Sequence, residues 1–241
     1  MAAIPILQRL IVPATSKHTA TVIFVHGLGD SGHGWKPVAE MFGADQQLQH
    51  VKWVLPHAPV EPVTANQGMR MPSWFDIIEF GFKSTEDEKG MLKTASSLNK
   101  LISEEVDAGI DPSRIILGGF SQGGTMSLLT GLTNERKLGG LIVLSAWLPL
   151  RHKIKAMTSD HAKSIPIFWG QGKQDELIRP ALSKLSVEFV KNELGFAYAS
   201  SQTEATGVAY KQYNGVGHSV NDQELADLKA WIKNAIPPTK A

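Results

Sequence analysis

The sequence contains no cysteine among its 241 residues. This absence excludes disulfides, thiolate metal sites and S-acyl anchors. Neither sign of charge dominates, because the sequence has 24 basic and 23 acidic residues and a net charge of +1. A nearly neutral chain has no electrostatic footprint for nucleic acid or for an anionic membrane. We therefore expect no nucleic-acid partner.

Long hydrophobic runs are missing as well. No apolar stretch approaches the roughly 20 residues that span a bilayer. Pro5, Arg9 and Pro13 interrupt the N-terminal region, which therefore lacks the apolar core of a signal peptide. Ala2 instead of glycine follows Met1 and excludes N-myristoylation. These absences predict a soluble cytoplasmic protein, with a nuclear location also left open.

Short apolar runs alternate with longer amphipathic segments along the chain. The predicted strands are Thr21–Val25, Val51–Leu55, Arg114–Leu117, Leu141–Ser145, Ile165–Trp169 and Val208–Tyr213. Several of them are apolar throughout, which is typical of parallel strands covered on both faces. The alternation predicts a single α/β domain over residues 1–241, with a mostly parallel central sheet flanked by helices.

Three long helices are predicted, over Asp87–Asp107, Pro180–Leu194 and Asp222–Ile236. In the second helix, Pro180 suits the first helical position. The apolar stripe that should face its core consists of Leu182, Leu185, Phe189, Val190 and Leu194. The polar, unpatterned run from Phe196 to Gly207 predicts a surface loop.

The five residues Gly119–Gly123 read GFSQG and match the pattern G-x-S-x-G. An apolar run precedes them and apolar residues at helical spacing follow, which is the context of a nucleophile elbow. The sharp strand-to-helix turn lifts the serine above the sheet, and side chains in place of the glycines would collide with neighbouring elements. Ser121 is therefore the predicted nucleophile.

A serine hydroxyl is a weak nucleophile and needs an adjacent base. In this fold the partners follow in the order serine, acid, histidine, at the ends of later strands. His218 comes directly after the last predicted strand, whereas His152 and His161 end no strand. Asp175 is the first carboxylate after the Ile165–Trp169 strand. Its neighbour Glu176 stays open as the alternative, although the shorter aspartate suits holding a histidine better.

Acyl transfer also requires an oxyanion hole, with one backbone N–H after the nucleophile and one from a loop after an early strand. These positions predict Gln122 and Leu28 as the donors, and His26 and Asp30 as residues that brace the loop. His33 lacks matching ligands for zinc, so no metal and no cofactor is expected.

Six motifs occur in order along the chain: HGLGDSGHGW, LPHAP, MPSWFDI, RIILGGFSQGG, SAWLPL and GHS. With them the sequence resembles the acyl-protein thioesterases, the lysophospholipase-like carboxylesterases. The resemblance implies an α/β-hydrolase fold, a triad of Ser121, Asp175 and His218, and oxyanion donors Leu28 and Gln122. It also implies S-acylated proteins and lysophospholipid-like esters as substrates. The chain departs from the family at Gln171, where a histidine is usual.

Only about twenty residues separate the Leu141–Ser145 and Ile165–Trp169 strands, so no separate lid domain is expected. An open site would admit a lipidated peptide during a transient encounter with a membrane surface, and a weak homodimer is compatible with this. Each buried methylene of an acyl chain contributes about 0.8 kcal/mol. The residues expected to wall the acyl channel are Met71, Trp74, Phe75, Trp147, Leu148 and Leu177.

Two alternatives remain at this point. One is a carboxylesterase or lysophospholipase that prefers oxyesters. The other is a hydrolase-fold protein that binds an apolar ligand without turning it over.

Overall fold

A seven-stranded sheet forms the centre of the structure, a computed structural model that describes residues 7–79 and 85–239. The remainder of the predicted 1–241 domain lies outside the described residues. The strands of the sheet are β1 (Arg9–Val12), β2 (Ala20–Val25), β3 (Val51–Pro56), β6 (Ile115–Phe120), β7 (Gly140–Leu144), β8 (Ile167–Gly172) and β9 (Val208–Tyr213). Their order is β1-β3-β2-β6-β7-β8-β9, and only β1 pairs antiparallel to its neighbour. The predicted α/β class with a mostly parallel sheet is confirmed.

A separate antiparallel hairpin consists of β4 (Val60–Val63) and β5 (Met69–Pro72). The helices are α1 (Gly32–Gly43), α2 (Glu88–Asp107), α3 (Gln122–Thr133), α4 (Arg151–Met157), α5 (Pro180–Asn192) and α6 (Asp222–Ala235). Short 3₁₀ turns occupy Gln46–Leu48, Thr64–Asn66, Pro112–Arg114 and Ala162–Ser164. Within the described ranges, no helix has the length and apolar content needed to cross a membrane.

The sheet separates two apolar cores, and successive strand residues alternate between them. On β2, Ile23 belongs to the core beneath α2, α3 and α5, whereas Val22 and Phe24 belong to the core beneath α1 and α6. All three are at most 1% exposed. Burial on both faces is why the central strands are apolar throughout.

Two predicted strands differ from the observed ones by two or more residues at one end or both. β6 continues to Phe120 because Gly118 and Gly119 remain in the ladder with β7. A side chain on Gly118 would approach Ile142 Cβ to 2.7 Å, so a glycine there permits close packing of the strands. β8 starts at Ile167, since Pro166 cannot donate to the ladder, and it runs to Gly172.

The predicted buried stripe of α5 is confirmed at Val190, and Phe189 and Leu194 also pack against the core, but the prediction is wrong at Leu185. The buried residues of this helix are Ser183, Ser186, Val187 and Val190, and Leu185 is 43% exposed. Ser183 and Ser186 therefore face the sheet. Leu182 and Leu185, on the adjacent face of the helix, point towards a groove at the surface.

The first turn of α6 carries a buried carboxyl group. Asn221 caps the helix by accepting a hydrogen bond from the Glu224 N–H at 2.9 Å. The Glu224 side chain lies against Gly170, is 0% exposed, and its oxygens have no hydrogen-bond partner within the described part of the chain. Burial, and to a smaller extent the charge of Asp227, raises the pKa of Glu224 to about 8.

We expect the Glu224→Gln substitution to raise the free energy of unfolding, and to do so increasingly as the pH rises. A carboxyl group with a higher pKa in the folded state weakens folding above its ordinary pKa of 4.5, and this penalty stops growing near pH 8. Between these limits the slope approaches about 1.4 kcal/mol per pH unit. Urea unfolding of both proteins across this pH range measures the difference.

Glu40→Gln is the matched control for this comparison, because Glu40 is an exposed carboxylate on α1 that pairs with Lys36 at 3.2 Å. Its curve should run parallel to that of the wild type. Parallel curves for Glu224→Gln and the wild type would contradict the prediction.

Candidate active site

Ser121 lies at the turn between β6 and α3 with φ 55° and ψ −120°. Non-glycine residues rarely adopt such a conformation, which costs on the order of 1–3 kcal/mol. A Cβ atom on Gly119 would come within 2.4 Å of the Gly123 backbone, and one on Gly123 within 2.0 Å of Val25 O. Only glycine fits at both positions, so the flanking glycines make the strained turn sterically possible.

The structure brings Ser121, His218 and Asp175 together although they lie far apart in sequence. Ser121 Oγ lies 2.9 Å from His218 Nε2, and His218 Nδ1 lies 2.8 Å from Asp175 Oδ2. With a proton on Nδ1 donated to the carboxylate, Nε2 is free to accept the serine proton. The arrangement can therefore generate a serine nucleophile.

Asp175 follows β8 and is 2% exposed. Its Oδ1 accepts hydrogen bonds from the backbone N–H groups of Ile178 at 2.8 Å and Leu177 at 3.0 Å. Burial acts to raise the pKa of Asp175, but these hydrogen bonds and the one from His218 outweigh it and hold the pKa below its ordinary value. The carboxylate that faces His218 is thus ionised, and the neighbouring Glu176 is exposed and points elsewhere, into the lining of a groove.

Gln171 lies inside β8, not two residues beyond the strand as the sequence suggested. Its Nε2 donates to Ile178 O at 2.9 Å and Gly172 O at 3.1 Å, and lies 3.3 Å from Asp175 Oδ2. The carboxamide therefore holds the loop that carries the acid. It supplies an N–H donor beside Asp175.

The two predicted oxyanion donors lie on segments that meet beside Ser121. The N–H of Gln122 belongs to the first turn of α3, whose amides have no partners inside the helix. The loop that contains Leu28 passes so close that a Cβ atom on Gly27 would be 3.5 Å from Ser121 Cβ and 3.3 Å from the Phe120 ring. The Phe120 ring also packs on His218, with ring centroids 4.8 Å apart.

His26 braces this loop, as the sequence indicates. His26 is 0% exposed, and its Nε2 accepts from Ala58 N at 3.1 Å, so Nδ1 carries the proton and donates to Gly27 O at 2.7 Å. Burial lowers the pKa of His26, which is therefore neutral at physiological pH. The Asp30 carboxylate lies against Gly34 in the first turn of α1, where it leaves no room for a side chain.

A groove of about 380 Å³ lies between the segment after β5 and the N-terminal part of α5. Its lining is mostly apolar and also includes Asp76, Glu79, Glu86, Glu176 and Arg179. Three of the residues expected to wall an acyl channel line it: Phe75, Trp147 and Leu177. The Phe75 and Trp147 rings meet edge to face, with centroids 6.2 Å apart. The groove adjoins the loop that carries Asp175, since Leu177 and Ile178 both line it and both donate to Asp175.

The other three expected channel residues do not line this groove. Leu148 is 1% exposed and belongs to the core. Trp74 is 3% exposed and its indole N–H donates to His26 O at 2.8 Å. Met71 lies on β5 and faces Gly29. Apolar character in the sequence does not distinguish a groove wall from the core, so these assignments could not be separated beforehand.

Sequence reasoning missed most of the groove residues, including Leu182 and Leu185 on α5. Both had been assigned to the buried stripe of that helix. The signal that could have identified them is the pair of small residues, Ser183 and Ser186, on the adjacent face. Small side chains allow a helix to pack closely on a sheet and leave the larger residues facing outwards.

The comparisons with known proteins agree with this geometry. The family described as Phospholipase/Carboxylesterase matches residues 8–236. The chain is 48% identical to acyl-protein thioesterase 1 of Cryptococcus neoformans over 235 residues, which cover 95% of this chain and 98% of that protein. The crystal structure of Arabidopsis thaliana SOBER1 has a TM-score of 0.82 at 32% identity, and the match covers 90% of this chain and 99% of that chain. The crystal structure of Zea mays acyl-protein thioesterase 2 has a TM-score of 0.80 at 26% identity, and the match covers 95% of this chain and 99% of that chain. The implied α/β-hydrolase fold without a separate lid domain is confirmed.

Proposed function

Because this chain belongs to the phospholipase/carboxylesterase family, we propose that it is an acyl-protein thioesterase that removes long-chain acyl groups from protein cysteines. One observation carries the proposal: Ser121, His218 and Asp175 form a hydrogen-bonded series, and the loop that holds Asp175 also lines a largely apolar groove. The relatives named acyl-protein thioesterase, from Cryptococcus neoformans and Zea mays, support the substrate class.

In the acylation step His218 Nε2 takes the proton of Ser121 as Oγ attacks the acyl carbonyl carbon. Asp175 stabilises the imidazolium that forms. The backbone N–H groups of Leu28 and Gln122 donate to the oxyanion, and each such donor typically contributes about 2.7–4 kcal/mol to lowering the barrier. The C–S bond then breaks. A thiol has a pKa near 8.5, so its thiolate leaves with little help from the imidazolium. The imidazolium then gives its proton to the departed thiolate, which leaves the site as the free thiol and returns His218 to its neutral form.

In the deacylation step His218 takes a proton from water, which attacks the acyl-enzyme. A second oxyanion forms in the same hole. Its collapse breaks the bond to Ser121 Oγ, which receives the proton from His218, and the free fatty acid leaves. The enzyme returns to its starting state without any cofactor step.

The groove is proposed to hold the acyl chain. Leu177, Leu185 and Ile78 are 55%, 43% and 37% exposed around it. Such an open apolar rim suits a lipid chain presented at a membrane surface, and the proposal includes a transient encounter with that surface.

We expect Ala181→Trp to reduce kcat/KM for a palmitoyl thioester roughly a hundredfold. Ala181 is exposed and lines the groove, so an indole there would displace several methylenes of the chain, at about 0.8 kcal/mol each. An acetyl thioester does not reach this part of the groove and should react as before. Lys184→Trp is the control, since Lys184 is an exposed residue of the same helix that does not line the groove. Equal decreases in kcat/KM for the palmitoyl and acetyl thioesters would show that the groove does not hold the acyl chain.

A comparison of kcat/KM for an S-palmitoyl peptide and for a palmitoyl lysophospholipid tests the function itself. We expect a large preference for the peptide thioester. A preference for the lysophospholipid would instead favour the oxyester alternative, a carboxylesterase or lysophospholipase, which the family description also supports. Negligible rates on both substrates would contradict both assignments.

A further inference from the structure

The side chain of Gln122 forms a buried connection that acyl transfer itself does not require. Gln122 is 0% exposed. Its Oε1 accepts from Trp74 N at 2.9 Å, and its Nε2 donates to Phe75 O at 2.7 Å and Ser73 Oγ at 3.0 Å. Each polar atom of the carboxamide thus bonds to the segment Ser73–Phe75, which follows β5.

The same segment reaches the other side of the oxyanion hole. The Trp74 indole N–H donates to His26 O at 2.8 Å, and the two rings pack with centroids 5.0 Å apart. His26 in turn fixes Gly27 O. That carbonyl shares a planar peptide unit with the N–H of Leu28, so holding the carbonyl sets the direction of the N–H.

We propose that Gln122, through its carboxamide, and Trp74, through its indole N–H, are positioning residues. They hold the N–H groups of Leu28 and Gln122 in the relative orientation that lets both donate to one oxyanion. The inference rests on the proposed roles of Leu28 and Gln122 in the function above. The connection runs from Gln122 through Trp74 to His26, and every residue in it is at most 3% exposed.

The connection from Gln122 through Trp74 to His26 consists of hydrogen bonds, which indicates that these residues orient the oxyanion donors and do more than fill space. A buried carboxamide is costly unless all its groups are bonded, and an apolar side chain of similar size would fill the same space. The hydrogen bonds instead join two loops, the Ser73–Phe75 segment after β5 and the loop after β2 that begins at His26. An oxyanion hole works only if its donors are aligned before the charge develops.

The test uses Trp74→Phe and Gln122→Met with p-nitrophenyl acetate, a small ester that does not need the groove. Trp74→Phe keeps a ring and removes the N–H, and Gln122→Met keeps the backbone N–H and removes the carboxamide. Both chemical steps pass through an oxyanion, so we expect kcat to fall by about 10- to 100-fold. We expect KM to change less than about threefold, because ground-state binding is unaffected.

A short alkyl trifluoromethyl ketone gives a second readout. Ser121 Oγ adds to its carbonyl carbon while His218 takes the proton, and the resulting oxyanion occupies the same hole. Its affinity should fall in parallel with kcat in both variants. Trp53→Phe and Ser127→Ala are matched controls, since each removes a buried polar hydrogen that has no partner among the described residues.

Unchanged kcat and inhibitor affinity in folded Trp74→Phe or Gln122→Met would overturn the inference. So would losses that match those of the two controls, because they would show general destabilisation. Failure of the wild type on palmitoyl thioesters, with these effects on the small ester intact, would overturn the proposed function and leave the positioning role standing.

Discussion

Ser121→Ala is expected to reduce kcat by at least about 10⁴-fold while leaving the fold intact. Without Oγ no acyl-enzyme forms, and only binding and the oxyanion hole remain to assist attack by water. Alanine keeps the Cβ atom, so the strained turn at φ 55° is no less acceptable than before. His218 keeps its hydrogen bond to Asp175. The hydroxyl removed makes a single side-chain hydrogen bond, that to His218 Nε2 at 2.9 Å.

Hydrolysis of a p-nitrophenyl ester, together with a thermal melt, measures both parts of this expectation. Ser127→Ala is the control, because Ser127 is a buried serine of the same helix, α3, without a hydrogen-bond partner for its hydroxyl among the described residues. It should retain full activity. Near-wild-type turnover by Ser121→Ala would show that Ser121 is not the nucleophile and that the turn at Gly119–Gly123 is not part of the active site.

The elements that could be predicted from the sequence are those with local steric causes. A strand followed by GFSQG can turn into a helix only through glycines, because Gly119 and Gly123 contact backbone atoms directly. His218 and Asp175 were identified as the first suitable side chains after two strands. Parallel strands bring their carboxyl ends to one edge of the sheet, so positions distant in sequence meet there.

What could not be predicted depends on contacts between distant elements. The face of α5 that packs on the core carries Ser183 and Ser186 beside Val187 and Val190, and small polar residues give no signal of burial in the sequence. Trp74 was expected in the channel, but its indole N–H finds a partner in His26 O. No periodicity in the sequence distinguishes these outcomes, because they arise from packing and hydrogen bonding in three dimensions.

The short elements at the edges were missed for a different reason. β1, β4 and β5 each have four residues and include exposed positions, so their apolar residues are too few to indicate a strand. Edge strands are often short and polar because such features discourage pairing with other chains.

Asp175→Asn is expected to lower kcat by about 10⁴-fold, whereas Glu176→Gln should change it less than about threefold. Asparagine can keep the acceptor that binds the N–H groups of Leu177 and Ile178 at 3.0 and 2.8 Å, so the loop should hold its shape. Its amide N–H₂ would then face His218 Nδ1 and favour the tautomer with the proton on Nε2. That tautomer cannot accept the proton of Ser121.

Glu176→Gln is a matched control for this substitution, because it makes the same change from carboxylate to carboxamide one residue away. Glu176 is exposed in the groove lining, while the Asp175 carboxylate bonds to His218 at 2.8 Å. Steady-state kinetics on a small ester compares the two variants, and circular dichroism checks that both are folded. The reverse ranking would transfer the role of the acid to Glu176. It would require the loop after β8 to rearrange during catalysis, against the backbone hydrogen bonds and the Gln171 contacts that hold it.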